Sequence, residues 1–175
     1  MTTKPVGNDD EQAFRADLVA IVPSLRAFAR GLSGNRDLAD DLAQEALAKA
    51  WGARHSFTPG TNFKAWMFRI LRNHFYTTAT VARRTVLVDP HSTADLVSVP
   101  PTQGAGLTRR DIEAGLATLP APQREALMLL ESGLPWDEIA VIANCPIGTV
   151  KSRITRGRAA LRLYLDGPPT PPAGG

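Results

Sequence analysis

Residues Leu134–Leu165, LPWDEIAVIANCPIGTVKSRITRGRAALRLYL, decide how the second half of this 175-residue chain folds. The pattern predicts a short helix, a tight turn and a longer helix. The first helix has one apolar side at helical spacing, formed by Ile139, Ala140, Ile142 and Ala143. Asn144-Cys145-Pro146 ends it, because Asn tolerates a left-handed backbone and Pro suits the first turn of a following helix. In that longer helix a predicted buried stripe recurs every three or four residues, at Val150, Ile154, Gly157 and Leu161.

The opposite face of the longer helix is basic and carries hydroxyl groups. Its members are Thr149, Lys151, Ser152, Arg153, Thr155, Arg156 and Arg158, and no acidic residue occurs between Ile147 and Tyr164. A helix with one apolar face and one basic, hydroxyl-bearing face is typical of a recognition helix in the DNA major groove. The alternative is a helical hairpin whose basic face is only solvated, because such faces are common.

Composition and charge exclude several classes of protein. The net charge of +3 is compatible with nucleic-acid binding but does not require it. A single cysteine, Cys145, excludes an internal disulfide and a multi-cysteine metal site. The three histidines are scattered, and the sequence has no catalytic triad or phosphate loop, so we predict no enzyme, no metal and no cofactor. No apolar run approaches the roughly 20 residues of a membrane span, and the start lacks a signal-peptide core, so we predict a cytoplasmic protein.

The first half of the chain is also predicted to be helical. From Glu11 onward apolar residues recur at helical spacing, and Pro23 is expected to kink this helix or to start a second one. The next helix, 35–55, has an apolar face predicted at Leu38, Leu42, Ala46, Leu47 or Ala50, and Trp51. Asp37 complements the dipole at the helix start, whereas Asp40, Asp41 and Glu45 extend past the first turn and need another explanation.

A turn cluster at Ser56–Asn62 leads into a long helix, FKAWMFRILRNHFYTTATVARR. Phe63, Trp66, Met67, Ile70 and Leu71 are predicted to be buried. Lys64, Arg69, Arg72, Arg83 and Arg84 are interleaved with Phe68, Phe75 and Tyr76. Such a mixture can bind single-stranded DNA, because bases stack on the rings and phosphates meet the cations. The alternative is a core helix with arginines that extend to solvent.

The remaining segments define the domain organisation. No strand pattern of any length occurs, so the fold class is all-α, with two small helical domains joined by a flexible linker. The helical domains are predicted at 11–85 and 107–165, the Pro- and Gly-punctuated linker at 86–106, and disordered tails at 1–10 and 166–175. Thr108-Arg109-Arg110-Asp111 has the form of a capping box and predicts a helix start.

Three blocks of the chain resemble the extracytoplasmic-function (ECF) sigma factors of bacterial RNA polymerase. DDLAQEALAKAW and NFKAWMFRILRNHFY resemble parts of sigma region 2, and LATLPAPQREALMLL with the Leu134–Leu165 stretch resembles sigma region 4. The order and spacing of the blocks make the resemblance specific. Asn62–Trp66 together with Ile70–Tyr76 is similar to the EcfG type, which drives the general stress response of alphaproteobacteria. Pro135 departs from the family, where Ser or Thr commonly caps the first helix of the region 4 motif.

The resemblance implies roles for individual residues. Asp40, Asp41, Gln44 and Glu45 would dock on the clamp helices of the polymerase's largest subunit. The −10 element would be bound by the loop residues Ser56, Phe57, Thr58, Gly60, Thr61 and Asn62, and by Lys64, Trp66, Arg69, Arg72, Asn73, Arg83 and Arg84 on the following helix. The −35 element would be bound by Thr149, Lys151, Ser152, Arg153, Thr155, Arg156 and Arg158, with Arg153 and Arg158 better placed for phosphates or for packing.

The implied partners are core RNA polymerase (clamp helices and flap), promoter DNA and an anti-sigma factor of the NepR type, with no membrane. Two other classes of protein stay open at this point. A sigma mimic, such as the sigma-like half of a PhyR-type regulator, would sequester the anti-sigma factor without reading DNA. A one-domain helix-turn-helix repressor is the second, although it gives the acidic helix and the aromatic–arginine helix no role.

Overall fold

The computed structural model describes residues 8–85 and 108–167, with side chains described from 10 to 80 and from 108 to 167. Its α-helices are α1 (Asn8–Ser33), α2 (Arg36–Gly52), α3 (Phe63–Thr85), α4 (Arg109–Thr118), α5 (Ala121–Glu131), α6 (Trp136–Ile142) and α7 (Ile147–Asp166). One 3₁₀ turn, Arg54–Ser56, follows α2, and the described residues contain no strand, which confirms the all-α prediction. The chain divides into two units, Met1–Ala82 and Arg83–Gly175. The predicted linker, 86–106, and most of both predicted tails lie outside the described residues.

In the first unit, α1 packs against α2 through small side chains. The buried residues of α2 are Ala39, Leu42, Ala43, Ala46 and Ala50. Leu38, which we expected on this face, is 43% exposed, so the predicted apolar face of α2 is rotated toward its alanines. Alanines allow two helix backbones to approach closely, and that close approach outweighs the larger area that Leu38 could bury.

Pro23 does not start a second helix, because α1 runs through it as one helix of 26 residues. Pro23 has no N–H to donate to the Val19 carbonyl, which therefore lacks its helical hydrogen bond. Both residues are exposed. Water can therefore bond that carbonyl, and the missing hydrogen bond costs less than it would inside the core.

The centre of the first unit is a contact between α1 and α3. Phe28 and Phe68 stack with their ring centroids 4.7 Å apart, and Phe68 is fully buried. Met67 and Leu71, which lie near Phe68 in the sequence of α3, are fully buried as predicted. Phe63, Trp66 and Ile70 were also predicted to be buried but are only half-buried. The possibility that Phe68 contacts single-stranded DNA is therefore wrong, because its ring belongs to the hydrophobic core.

In the second unit the helix ends follow the local signals of the sequence. The capping box is confirmed: the Thr108 hydroxyl accepts from the Asp111 amide, and the Asp111 carboxylate accepts from the Thr108 amide. These bonds from the Thr108 hydroxyl and amide lower the pKa of the Asp111 carboxyl. Pro135 precedes α6 in an extended conformation without a side-chain cap, and Asn144 adopts the predicted left-handed backbone at φ +48°.

The recognition-type helix α7 packs on α4, α5 and α6. Val150, Ile154 and Gly157 are buried as the spacing predicted, while Leu161 is half-buried. A β-carbon on Gly157 would lie 2.9 Å from Cδ1 and 3.3 Å from Cγ of Leu127. The close approach of α5 and α7 therefore depends on the absence of a side chain at this position.

We expect Gly157→Ala to lower the free energy of unfolding by about 1–3 kcal/mol, because Leu127 has to move out of a packed position. Gly148→Ala on the same helix is the matched control, since a β-carbon there meets nothing within 4 Å. That control should be neutral or stabilising by up to about 1 kcal/mol. Urea denaturation followed by circular dichroism measures both, and equal stability of the two variants would contradict the packing argument.

His74 on α3 is half-buried and lies in the electrostatic field of α2. Its pKa is lowered from the ordinary 6.5, first because burial removes water from the ring and second because Lys49 repels the charged form. Glu45 opposes both effects by favouring the charged form. The folded protein therefore binds a proton on His74 less readily than the unfolded chain does.

The wild-type protein should lose stability relative to His74→Gln as the pH falls through the ordinary histidine pKa. Above that range the ring is neutral in both states and contributes no pH dependence; below it the unfolded chain binds the extra proton. Urea unfolding of both proteins at about pH 8 and about pH 5 measures the difference. Parallel pH profiles would show that His74 does not titrate differently on folding.

Candidate nucleic-acid interface

Five aromatic side chains support the loop between α2 and α3. They come from α1, the end of α2, the loop itself and the start of α3: Phe14, Trp51, Phe57, Phe63 and Trp66. Phe14 is buried and touches the other four, with ring centroids 5.3–6.3 Å away. Phe57 also packs edge-on against Phe63 and 5.3 Å from Trp66. We call this set the aromatic cluster.

The cluster anchors the predicted −10 loop, Ser56–Asn62, through Phe57. Phe57 is half-buried, whereas the other loop residues are exposed. Among the loop residues, Phe57 is therefore the one whose ring connects the loop to the aromatic cluster. Trp66 is half-buried in the same cluster, with its ring centroid 5.3 Å from that of Phe57.

Local hydrogen bonds give the exposed part of the loop a defined shape. The Thr61 amide and hydroxyl both donate to the Thr58 carbonyl, at 3.2 and 2.7 Å. Pro59 and Gly60 lie between them, and Gly60 has a φ of +86°, the combination that a type II turn requires. The Asn62 side chain then accepts from the Ala65 amide at 3.2 Å and caps α3.

The first turns of α3 present a basic and polar face beyond the loop. Arg69, Arg72, Asn73 and Tyr76 are three or four residues apart and therefore share this face. Arg69 and Asn73 are exposed, and the half-buried Arg72 lies with its guanidinium carbon 4.7 Å from the Tyr76 ring. Lys64 lies on a different face, with its ammonium 5.9 Å from the buried Phe68 ring. The side chains of Arg83 and Arg84 lie outside the described residues.

Sequence reasoning missed one basic residue at this surface, Arg54, in the 3₁₀ turn before the loop. A signal was available: no Asp or Glu occurs between Glu45 and Asp89, whereas that interval holds Lys49, Arg54, Lys64, Arg69, Arg72, Arg83 and Arg84. Searching for stretches that lack acidic residues would have included Arg54 with the predicted basic residues.

The acidic residues predicted to dock on polymerase occupy α2. Asp41, Gln44 and Glu45 are exposed and share one face at helical spacing. Asp40 is half-buried and differs from them, because its carboxylate pairs with Arg26 of α1 at 3.2 Å. An exposed pair of this kind contributes at most about 1 kcal/mol, so it leaves the acidic face largely available to a partner.

On α7 the predicted base-reading residues divide into those that are exposed and those that are half-buried. Lys151, Thr155 and Arg156 are exposed. Arg156 is aligned along the helix by Ser152, because its Nε and Nη2 donate to the Ser152 carbonyl and hydroxyl at 3.2 and 3.1 Å. Thr149 is half-buried, and its carbonyl accepts from the Ser152 hydroxyl at 3.0 Å.

Two arginines of α7 contact other residues of the second unit. Arg153 is half-buried and donates to the Cys145 sulfur at 3.3 Å, so it braces the turn before the helix. Arg158 lies 4.0 Å from a carboxylate oxygen of Glu131 on α5. In the described part of the chain no acidic side chain pairs with Lys151 or Arg156, and these two cations leave the face of α7 positive.

Within the described residues, no helix is both long enough and apolar enough to cross a membrane. The same residues contain no group of three or more His, Cys, Asp or Glu side chains arranged to hold a metal ion.

Comparison with known proteins assigns both units to one family. The family model described as "Sigma-70 region 2" matches residues 19–86, and that described as "Sigma-70, region 4" matches residues 109–161. The chain is 46% identical over 158 residues to the ECF RNA polymerase sigma factor EcfG of Rhodopseudomonas palustris, covering 89% of this chain and 87% of that protein. It is 37% identical to the ECF sigma factor SigE of Mycolicibacterium smegmatis, covering 79% and 56%.

Solved structures show the same fold. The sigma factor RpoE of Bartonella quintana, in complex with the anti-sigma factor NepR, is 40% identical with a TM-score of 0.79, covering 89% of this chain and 98% of that chain. The PhyRSL–NepR complex of a Sphingomonas species has a TM-score of 0.62 at 17% identity, covering 90% and 92%, and supports the fold alone. The acidic face of α2, the loop on its aromatic cluster and the basic face of α7 thus lie on the two regions of one family, and the chain belongs to the ECF RNA polymerase sigma factors.

Proposed function

We propose that this cytoplasmic protein directs core RNA polymerase to promoters of the general stress response and is held inactive by a NepR-type anti-sigma factor. One observation carries the proposal: each of the two units has a surface whose residues suit DNA binding. These surfaces are the loop on the aromatic cluster, and the exposed Lys151, Thr155 and Arg156 on α7. The stress-response branch is supported by the 46% identity to an EcfG protein. The anti-sigma partner is supported by the likeness to RpoE, which was solved bound to NepR.

The mechanism we propose is promoter selection by two weak contacts. The α7 face binds the −35 element, while the loop holds a base that is flipped out of the melted −10 element. Extruding a base costs a few kcal/mol of stacking, and a loop that is already shaped by its own hydrogen bonds spends little further energy on ordering. Because both units bind one polymerase, the second DNA contact becomes effectively intramolecular. The protein itself performs no covalent chemistry and needs no cofactor or metal, because the polymerase catalyses the reaction.

A sigma mimic that only sequesters an anti-sigma factor is the alternative function. The cations on α7 argue against it, since a mimic does not need Lys151 and Arg156 on a DNA-type recognition helix to bind an anti-sigma factor. The loop also argues against a mimic, because the residues of its turn and of its helix cap point into solvent.

Run-off transcription with core polymerase and a stress-type promoter distinguishes the two functions. We expect a promoter-dependent transcript that appears only when this protein is added and that disappears when a NepR-type protein is added in excess. Tight binding of the NepR-type protein without any transcript would overturn the proposed function in favour of the mimic.

Arg156→Ala should lower transcription from the same promoter by about tenfold, because one good side-chain contact to a base contributes about 1–3 kcal/mol. Its affinity for core polymerase should not change. The matched control is Arg162→Ala, which removes the same charge from an exposed position further along α7. Equal loss of transcription and of polymerase binding in Arg156→Ala would show that the DNA-facing side of α7 is assigned wrongly.

A further inference from the structure

We propose that Arg54 binds a phosphate of the unpaired promoter strand beside the Ser56–Asn62 loop, and that Trp51 holds its guanidinium ready for this contact. The inference rests on the proposed function, because it concerns the strand that the loop is proposed to hold.

The guanidinium of Arg54 is fixed in place by two contacts with Trp51. Its Nη1 donates to the Trp51 carbonyl at 3.0 Å, and its central carbon lies 4.7 Å from the centroid of the Trp51 ring. A side chain held in this way has already lost most of its rotamer freedom before a ligand arrives. The entropic cost of binding is correspondingly lower than for a solvated arginine or lysine.

Hydrogen-bonding capacity is left over for a ligand. A guanidinium carries five N–H groups in a planar fork, and the carbonyl bond to Trp51 uses one of them. Among the residues that the structure describes, no carboxylate pairs with Arg54. A half-buried arginine that is ordered by a ring but not neutralised by an acid is suited to a planar anion such as a phosphate.

Arg15 provides an internal comparison at the same ring. Its guanidinium carbon lies 5.0 Å from the Trp51 centroid, yet its Nη2 pairs with the Glu11 carboxylate at 2.7 Å. Of the two arginines over Trp51, one is therefore neutralised from its own helix and the other is not. If both arginines only packed on the indole of Trp51, nothing would require one to pair with a carboxylate and the other not to.

The position of Arg54 places it at the strand that the loop would hold. Its carbonyl accepts from the Phe57 amide at 3.2 Å, so its backbone is bonded directly to the anchoring residue of the loop. The Trp51 and Phe57 rings both contact Phe14, at 6.3 and 6.0 Å. The guanidinium thus lies at the edge of the aromatic cluster, directly before the loop that is proposed to hold the flipped base.

The charge of the sequence around Arg54 favours a phosphate over a protein carboxylate. Arg54 lies within the interval from Glu45 to Asp89 that contains no acidic residue and holds seven basic ones (Lys49, Arg54, Lys64, Arg69, Arg72, Arg83 and Arg84). Several cations along one stretch suit a ligand that carries one negative charge per nucleotide. Single-strand binding surfaces combine such cations with aromatic rings, as this surface does.

The test is the salt dependence of promoter binding by holoenzyme assembled from core polymerase and the full chain. The DNA probe carries an unpaired non-template strand at the −10 element, and binding is titrated over a range of KCl concentrations. Arg54→Ala should weaken binding and reduce the slope of log K against log salt by about 0.7, the value for one phosphate of a single strand. Arg15→Ala should leave the slope unchanged.

Two further measurements separate a phosphate contact from other roles. Arg54→Lys retains the charge but loses the fork and the stacking, so its slope should match wild type while its affinity falls. Arg54→Ala should bind a duplex probe that carries the −35 element alone as wild type does. A wild-type slope for Arg54→Ala on the unpaired probe, or weakened binding of a NepR-type protein in its place, would overturn the inference.

Failure of the inference is distinguishable from failure of the proposed function. A wild-type holoenzyme that gives promoter-dependent transcripts, combined with an unchanged slope for Arg54→Ala, removes only the role of Arg54. A wild-type protein that gives no transcript removes the proposed function and the inference together.

Discussion

The packing of Phe14 against four other aromatic rings is the interaction on which the first unit depends. It joins the start of α1, the end of α2, the loop and the start of α3 at one point. Aromatic pairs at these distances add about 0.5–1.5 kcal/mol each beyond the area they bury. Phe57 ties the loop to the start of α3 through its contacts with Phe63 and Trp66. This support from the cluster allows the rest of the loop to stay exposed.

The helices and their ends could be predicted largely from the sequence because they depend on local chemistry. Thr108 and Asp111 form their capping box within one turn, and Asn144 adopts its left-handed backbone at the turn that the Asn-Cys-Pro sequence indicated. The buried stripe of α7 followed from spacing alone. In each of these cases the deciding residues lie within a few positions of one another, so neighbouring helices had little opportunity to change the outcome.

The errors arose where a neighbouring helix decided between two plausible faces. Leu38 is larger and more apolar than Ala39, yet α1 selects the alanine side of α2 because the backbones approach closely there. Phe68 matched a DNA-stacking pattern by spacing, but Phe28 on α1 places it in the core. Arg54 was missed for a related reason: the stretch without acidic residues marks it only as one of several basic residues, and its contact with the Trp51 ring is seen only in the structure.

The net charge of +3 does not show how unevenly the charges are distributed along the chain. Asp37, Asp40, Asp41 and Glu45 lie on α2, whereas the interval that follows has only basic charges. Acidic and basic residues therefore lie in neighbouring parts of the chain, and the four acidic charges offset part of the seven basic ones at long range. Non-specific affinity for DNA comes mainly from cations that displace counterions, so neighbouring acidic residues lower it. Under the proposed function, polymerase covers the acidic face and the basic surface is left to face the promoter. Promoter binding is then conditional on assembly, which suits a subunit whose two DNA contacts are each weak.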